Sequence, residues 1–177
     1  KKYGPGDFDR IIDSNGGNNN AFTTNDETVY YENVPSQVLD QIIDLEADRM
    51  QNLLLEPTSF ESERQVIFEE RKMRYENSAD GQLYLETMKK VFEGTPYGNS
   101  VIGEVEDLRD LTRDKMMEFF KTYYVPNNAI IVIAGDIDEA KTKTLIQEKF
   151  GAIPSTPNLI ALKRERDRPE NYVLKHQ

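Results

Sequence analysis

Apolar positions along this chain follow two rhythms, and their alternation outlines the elements. Phe8, Ile11 and Ile12 fall on one side of a short helical stretch, with Pro5 near its start and Gly16-Gly17 at its end. Two β-prone runs follow, Asn20–Thr24 and Glu27–Asn33, joined at Asn25-Asp26; they predict a hairpin whose second strand takes its bulk from Thr28, Val29, Tyr30 and Tyr31. Ser36 then caps a helix to about Leu55, with Leu39, Ile42, Ile43, Met50, Leu53 and Leu54 as its core face and Pro57 at its end. A second long helix spans Phe60–Asn77, and a third runs from near Asp80 to Phe92, where Gly94 stops it. The stretch from Gly94 to Glu104 is a Gly- and Pro-rich loop. Thr112 caps a helix carrying Met116, Phe119, Phe120 and Tyr123, which ends before Pro126. Asn128–Ala134, short and rich in β-branched residues, predicts a buried strand, and Asp138 caps a helix to Phe150. Beyond Pro154 a polar connector, 155–177, leads into a short strand at Tyr172–Lys175. The expected fold is α+β: a single domain over 1–177, with a mostly antiparallel sheet covered by helices.

The Phe60–Asn77 helix breaks its own pattern in an informative way. At about 100° per residue, Phe60, Glu63, Val66, Ile67, Glu70 and Met73 share one face. Arg64, Arg71 and Lys72 fall elsewhere, and Phe68 is the one apolar residue out of pattern. Two carboxylates therefore lie within an apolar stripe, seven residues apart and nearly eclipsed. A buried carboxylate without a partner must change protonation state, find a cation or bind a metal. Two readings stay open: both Glu reach water at the edge of a loosely packed stripe, or the stripe carries a metal or catalytic site. Glu46 lies on an apolar stripe one helix earlier, so one such residue is ordinary; a matched pair is less so.

Composition narrows the classes. A chain of 177 residues supports one domain with a real core, and 37% hydrophobic with 31% charged residues reads as soluble and globular. No apolar run is long enough to span a membrane. A net charge of −10 argues against nucleic acid, whose phosphates need clustered Lys and Arg. The one basic cluster, Lys163–Arg168, is interrupted by Glu165 and Asp167 and reads as a solvated tail. The absence of Cys excludes disulfides and thiolate zinc sites and leaves the compartment open. His176 is the only histidine. The chain begins at Lys1 without Met or a signal-like segment, so a piece of a longer protein is expected.

Three segments resemble the insulinase-like zinc metallopeptidases, the family of insulysin, pitrilysin and the mitochondrial processing peptidase. SNGGNNNAFTTNDETVYY (Ser14–Tyr31) is similar to the family's Gly-Gly-x-x-Asn-Ala-x-Thr hairpin. ERQVIFEE (Glu63–Glu70) matches its Glu-Arg-x-Val-Ile-x-x-Glu helix. PYGNSVIGEVEDLRDLT and YYVPNNAIIVIAGDID, within Pro96–Asp138, are similar to its Pro-Tyr-Gly…Ile-Gly and Tyr-x-Pro-Asn-Asn-Ala…Gly-Asp elements. The likeness covers nearly the whole chain, to about Pro154, and LEADRM (Leu45–Met50) is closer to the bacterial members.

The resemblance implies one half of a clamshell-type zinc metalloendopeptidase acting on extended peptides. It assigns the distal zinc ligand to Glu70 and the supporting catalytic carboxylate to Glu63, and it lays the substrate backbone along Asn20, Ala21 and Phe22 as an added strand. Glu69 projects about 120° from Glu63 and does not substitute. A second homologous domain or subunit is implied as partner, with no nucleic acid and no membrane span. A bacterial periplasm or envelope is the implied setting, with the cytoplasm as the alternative. One departure is large: the family's H-x-x-E-H helix, with two zinc ligands and the general base, is missing from residues 1–177. Glu70 alone does not make a catalytic zinc site, and His176 shares no element with it. The chain by itself is therefore expected neither to retain zinc nor to cleave peptides. The alternative is a non-catalytic half that binds peptides or supports an active partner.

Overall fold

The structure, a computed structural model, describes residues 3, 4, 6–157 and 159. Pro5, the Lys163–Arg168 cluster, the Tyr172–Lys175 strand, His176 and most of the 155–177 connector lie outside the described residues.

The first helix, α1 (Asp7–Ser14), starts after Gly6, which adopts a φ of 74°. Asp7 and Asp9 occupy its first turn, where the helix end is electropositive. The chain then passes close beneath its own return strand: a Cβ on Gly17 would stand 2.7 Å from the Asn33 carbonyl oxygen. That approach seats the hairpin, β1 (Asn18–Thr23) against β2 (Thr28–Asn33), antiparallel, with Asn20 opposite Tyr31, Ala21 opposite Tyr30 and Phe22 opposite Val29. Thr24 builds the turn. Its N–H donates to the Glu27 carbonyl at 2.8 Å, and its hydroxyl accepts from the N–H groups of Asp26 and Glu27 at 3.2 Å each.

Both described cores are built on α2 (Leu39–Asn52). On one side Ile42 and Leu45 join Ile11 and Ile12 of α1; on the other, Ile43 and Ala47 join Phe150 and Ile153. The second group belongs to α7 (Glu139–Phe150) and the turn after it. A helix buried on two sides is wetted only along a narrow strip, and there Asp40 and Asp44 pair with Lys141 at 2.6 Å and Lys149 at 3.3 Å. Ser36 does not cap this helix as expected. It opens a 3₁₀ turn, Ser36–Val38, after extended Pro35, and no side-chain capping bond starts either element.

Pro57 starts the next helix rather than merely ending α2. Glu56 is extended, as a residue before proline prefers, and Pro57 occupies the first turn of α3 (Pro57–Arg71). The continuation is a π-helical turn, Lys72–Glu76, closed by the Asn77 N–H on the Lys72 carbonyl at 2.9 Å. Then come α4 (Ala79–Val91), capped by Ser78, the short α5 (Val105–Asp110), and α6 (Arg113–Tyr123), capped by Thr112 as its sequence predicts. Asp138 caps α7 in the same way. No helix among the described residues is long and apolar enough to cross a membrane.

The architecture is α+β as expected, but its sheet is only the β1–β2 ladder among the described residues. Asn128–Ala134 forms no buried strand. Ile133 packs on the α2–α7 core, while Ile130 and Val132 are 91% and 82% exposed. Ile131 is 43% exposed as well, so Ile133 is the one residue of this run that packs inward, and no neighbouring strand among the described residues pairs its backbone.

Gly81, in the first turn of α4, reports how tightly this helix docks on the π-turn. A Cβ there would lie 2.0 Å from the Arg74 carbonyl oxygen and 2.9 Å from Tyr75 Cα. The helix-propensity gain of Gly→Ala is about 1 kcal/mol, whereas overpacking against backbone costs about 2–3 kcal/mol. Strain wins, so Gly81→Ala lowers the urea unfolding midpoint; an unchanged or raised midpoint would refute the close docking.

Candidate metal-binding helix and peptide strand

The structure rotates α3 relative to the apolar stripe. Its inward side is Phe60, Arg64, Ile67, Phe68 and Arg71: Phe60 and Arg71 are buried and the other three partly so. Phe68 therefore belongs to the packed side, and so do two of the three charges that the pattern sends elsewhere. Of the expected core face, Phe60 and Ile67 do turn inward, but Val66 is 55% and Met73 69% exposed, and Glu63 is exposed.

Two arginines explain the rotation. The Arg71 side chain, 7% exposed, donates to the Gly103 carbonyl at 3.0 Å, to Glu76 at 2.9 Å and to Glu104 at 3.2 Å. Lys89 of α4 approaches Glu104 at 3.5 Å from the other side. Arg64 donates to the Arg109 carbonyl at 3.0 Å and to Glu61 at 2.5 Å. The Arg71 guanidinium has acceptors for its buried donors, as burying a charge requires, whereas Arg64 is partly exposed and its Nε is buried without a partner among the described residues. The apolar pattern of α3 contains no such information.

Glu63 and Glu70 do share a helix face, as their spacing predicts, and that face opens to solvent. Glu63 makes no ion pair or hydrogen bond among the described residues. Glu70, with its side chain 40% exposed, pairs with Arg74 at 2.7 Å, one turn along. Neither reaches the hairpin. Asn20, Ala21 and Phe22 are exposed on β1, whose outer edge has no neighbouring strand among the described residues. Asn20 turns its side-chain oxygen onto the Ala21 N–H at 2.8 Å. The structure thus sets out the two parts of the expected site without direct contact between them.

As a zinc site, the donor set falls short. No group of three His, Cys, Asp or Glu residues that could hold a metal ion occurs among the described residues, and catalytic zinc takes three protein ligands. Glu70 offers one carboxylate, already satisfied by Arg74.

The hairpin is held by hydrogen bonds that sequence patterns do not disclose. Tyr97, on the Pro96–Gly98 turn, donates to Asp26 at 2.6 Å. Tyr30 and Tyr124 join through their hydroxyls at 3.1 Å. Burial first, then that hydrogen bond, pushes the Tyr30 hydroxyl up to about 12. Burial, followed by the charge of Glu46 on α2, pushes the Glu32 carboxyl up to about 7.

The architecture among the described residues is that of an α+β domain. The sequence model of the insulinase family, peptidase family M16, matches residues 1–105, and that of the peptidase M16 inactive domain matches residues 110–177. The chain belongs to the insulinase family. It is 34% identical to the zinc protease PqqE of Helicobacter pylori over 153 residues, 86% of this chain and 34% of that protein. It is 31% identical to human cytochrome b-c1 complex subunit 1 over 151 residues, 84% of this chain and 31% of that protein. The crystal structure of a protease from Helicobacter pylori superposes with a TM-score of 0.85 at 33% identity, covering 89% of this chain and 38% of that one. The chain thus spans about a third of the length of the curated relatives it matches.

Replacing Arg71 with Met leaves Glu76 without its cation, Glu104 with Lys89 alone, and the Gly103 carbonyl without its donor. The expected loss is about 3 kcal/mol, the scale for breaking a partly buried charge network, read from urea unfolding. A loss under about 1 kcal/mol, the surface-pair scale, would show that Arg71 is not what orders this end of α3.

Proposed function

We propose that this chain is the carboxylate-bearing, peptide-pairing part of a zinc metalloendopeptidase. In this reading Glu70 supplies one ligand to a metal whose other ligands lie outside residues 1–177. Glu63, two turns earlier on the same face, orients the centre from behind the ligands. Extended peptide adds to the outer edge of β1 along Asn20, Ala21 and Phe22, its backbone completing the ladder and its side chains alternating between faces. A second homologous domain or subunit closes over the peptide. A bacterial periplasm or envelope is the setting the family likeness favours.

The observation that carries the proposal is the α3 face. Two carboxylates and two large apolar side chains, Val66 and Met73, lie on the more open side of a helix that buries Arg71 on its other side. A chain folding for its own stability would reverse that choice. Zinc protease relatives and the sequence Glu63–Glu70 give the face its chemistry. The second reading, a non-catalytic supporting half, draws on the inactive-domain match over 110–177, on the cytochrome b-c1 relative and on Arg74 occupying Glu70.

Zinc content separates the two. The 177-residue chain, equilibrated with zinc and dialysed, is expected to hold no stoichiometric metal and to leave an unstructured peptide intact; stoichiometric zinc with chelator-sensitive cleavage would overturn the assignment of ligands outside the chain. In the assembled enzyme, Glu70→Gln is expected to abolish zinc retention, while Glu63→Gln lowers activity more than metal content. Metal binding unchanged by Glu70→Gln would favour the supporting half.

A further inference from the structure

The hydrogen-bond alternation of the hairpin fixes which backbone groups look outward from β1. Thr24 N–H donates straight across to the Glu27 carbonyl at 2.8 Å, and the register continues through Phe22 opposite Val29 and Asn20 opposite Tyr31. Bonded and unbonded pairs alternate in an antiparallel ladder. Asn19, Ala21 and Thr23 therefore turn their N–H and carbonyl groups away from β2, toward the outer edge. Ala21 is the middle one of the three.

The Ala21 N–H is already taken. It donates to Asn20 Oδ1 at 2.8 Å, whereas no side chain meets the N–H of Asn19 or Thr23 among the described residues. Asn20 is exposed and its carboxamide makes no other hydrogen bond among the described residues, so releasing Ala21 disturbs no packing. A side-chain oxygen that satisfies a backbone N–H competes with any ladder that needs the same donor. In either strand direction, a chain added along β1 must place a carbonyl on that N–H.

The strand itself has no freedom to turn aside. Tyr30, opposite Ala21, lies against the Arg49 guanidinium, whose carbon is 3.8 Å from the ring centre, and shares a hydrogen bond with Tyr124 at 3.1 Å. The Tyr124 ring in turn stacks on Phe120 of α6, with centres 4.8 Å apart. With the ladder held at this point from α2 and from the end of α6, the movable part is the Asn20 side chain.

We propose that Asn20 is a gate on the outer edge of β1. Closed, its carboxamide shields the central edge donor; an unshielded edge invites indiscriminate strand pairing. Open, it cedes the Ala21 N–H to a carbonyl of an extended peptide. Asn20 is then a competitor of the incoming backbone, not a contact that holds it. The gate rests on the reading of β1 as the peptide strand; the Asn20–Ala21 bond does not.

Amide exchange of the 177-residue chain, followed by NMR, reads the bond. The affinity of a blocked, unstructured peptide without charged side chains reads the gate. In Asn20→Ala the Ala21 protection factor is expected to fall about two- to tenfold, the range of one net hydrogen bond, and the peptide to bind tighter by a similar factor. In Asn20→Asp the acceptor is charged and stronger, so Ala21 protection rises and the peptide binds more weakly than to the parent chain. Phe22, Val29 and Tyr31, whose N–H groups face across the ladder, keep parent protection in both variants. Loss of protection there would show that Asn20 supports the ladder and does not guard its edge. Ala21 protection unmoved by Asn20→Ala would remove both bond and gate. Weaker peptide binding in Asn20→Ala would overturn the gate and leave β1 as the peptide strand, with Asn20 holding the peptide directly. If protection moves as expected while peptide affinity is the same in all three chains, or no peptide binds, β1 is not the peptide strand and the gate falls with it.

Discussion

A charge taken out of water dictates how the middle of this chain is arranged. Arg71 ends α3 with its guanidinium enclosed, and the acceptors it requires come from Glu76 and from Gly103-Glu104. Meeting that demand brings the π-turn, α4 and the loop before α5 to one place. Gly81 is the complement in backbone form, since only a residue without Cβ lets α4 approach the Arg74 carbonyl so closely. Charge burial and steric room thus fix the same junction independently. The carboxylate of Glu70, one residue before Arg71, inherits its place from them.

The fold was legible where local chemistry decides it. Thr112 and Asp138 cap the helices they precede, and the β-prone runs around Asn25-Asp26 form the hairpin with ends shifted by one or two residues. It was not legible where a segment's neighbours decide. Asn128–Ala134 carries the pattern of a strand and pairs with nothing described, because β-propensity says how a backbone is disposed and not whether a partner stands beside it. α5 was missed because its six residues follow a Gly-rich loop and are too few to show a period.

The candidate site divides along the same line. Spacing alone placed Glu63 and Glu70 on one helix face. It misjudged which way that face points, because Val66 and Met73 read as core residues while Arg64 and Arg71 read as surface. A hydrophobicity pattern scores arginine as polar whether or not its donors are met; here the backbone acceptors, at Arg109 and Gly103, lie some thirty or more positions away in sequence. Glu46, noted as one unexceptional acid on an apolar stripe, contributes after burial to raising the carboxyl of Glu32 on β2. That effect is tertiary and has no sequence signature.

The tip of the hairpin ends in a tether. Asp26 is gripped by Tyr97 at 2.6 Å, while Asn19 near the opposite end is tied to Asp9 at 2.9 Å. A ribbon anchored at both extremities is a beam and not a flap: it resists swinging, and its free rim keeps one orientation. Any backbone that aligns along that rim meets a surface already set, so little ordering entropy is left to lose on contact.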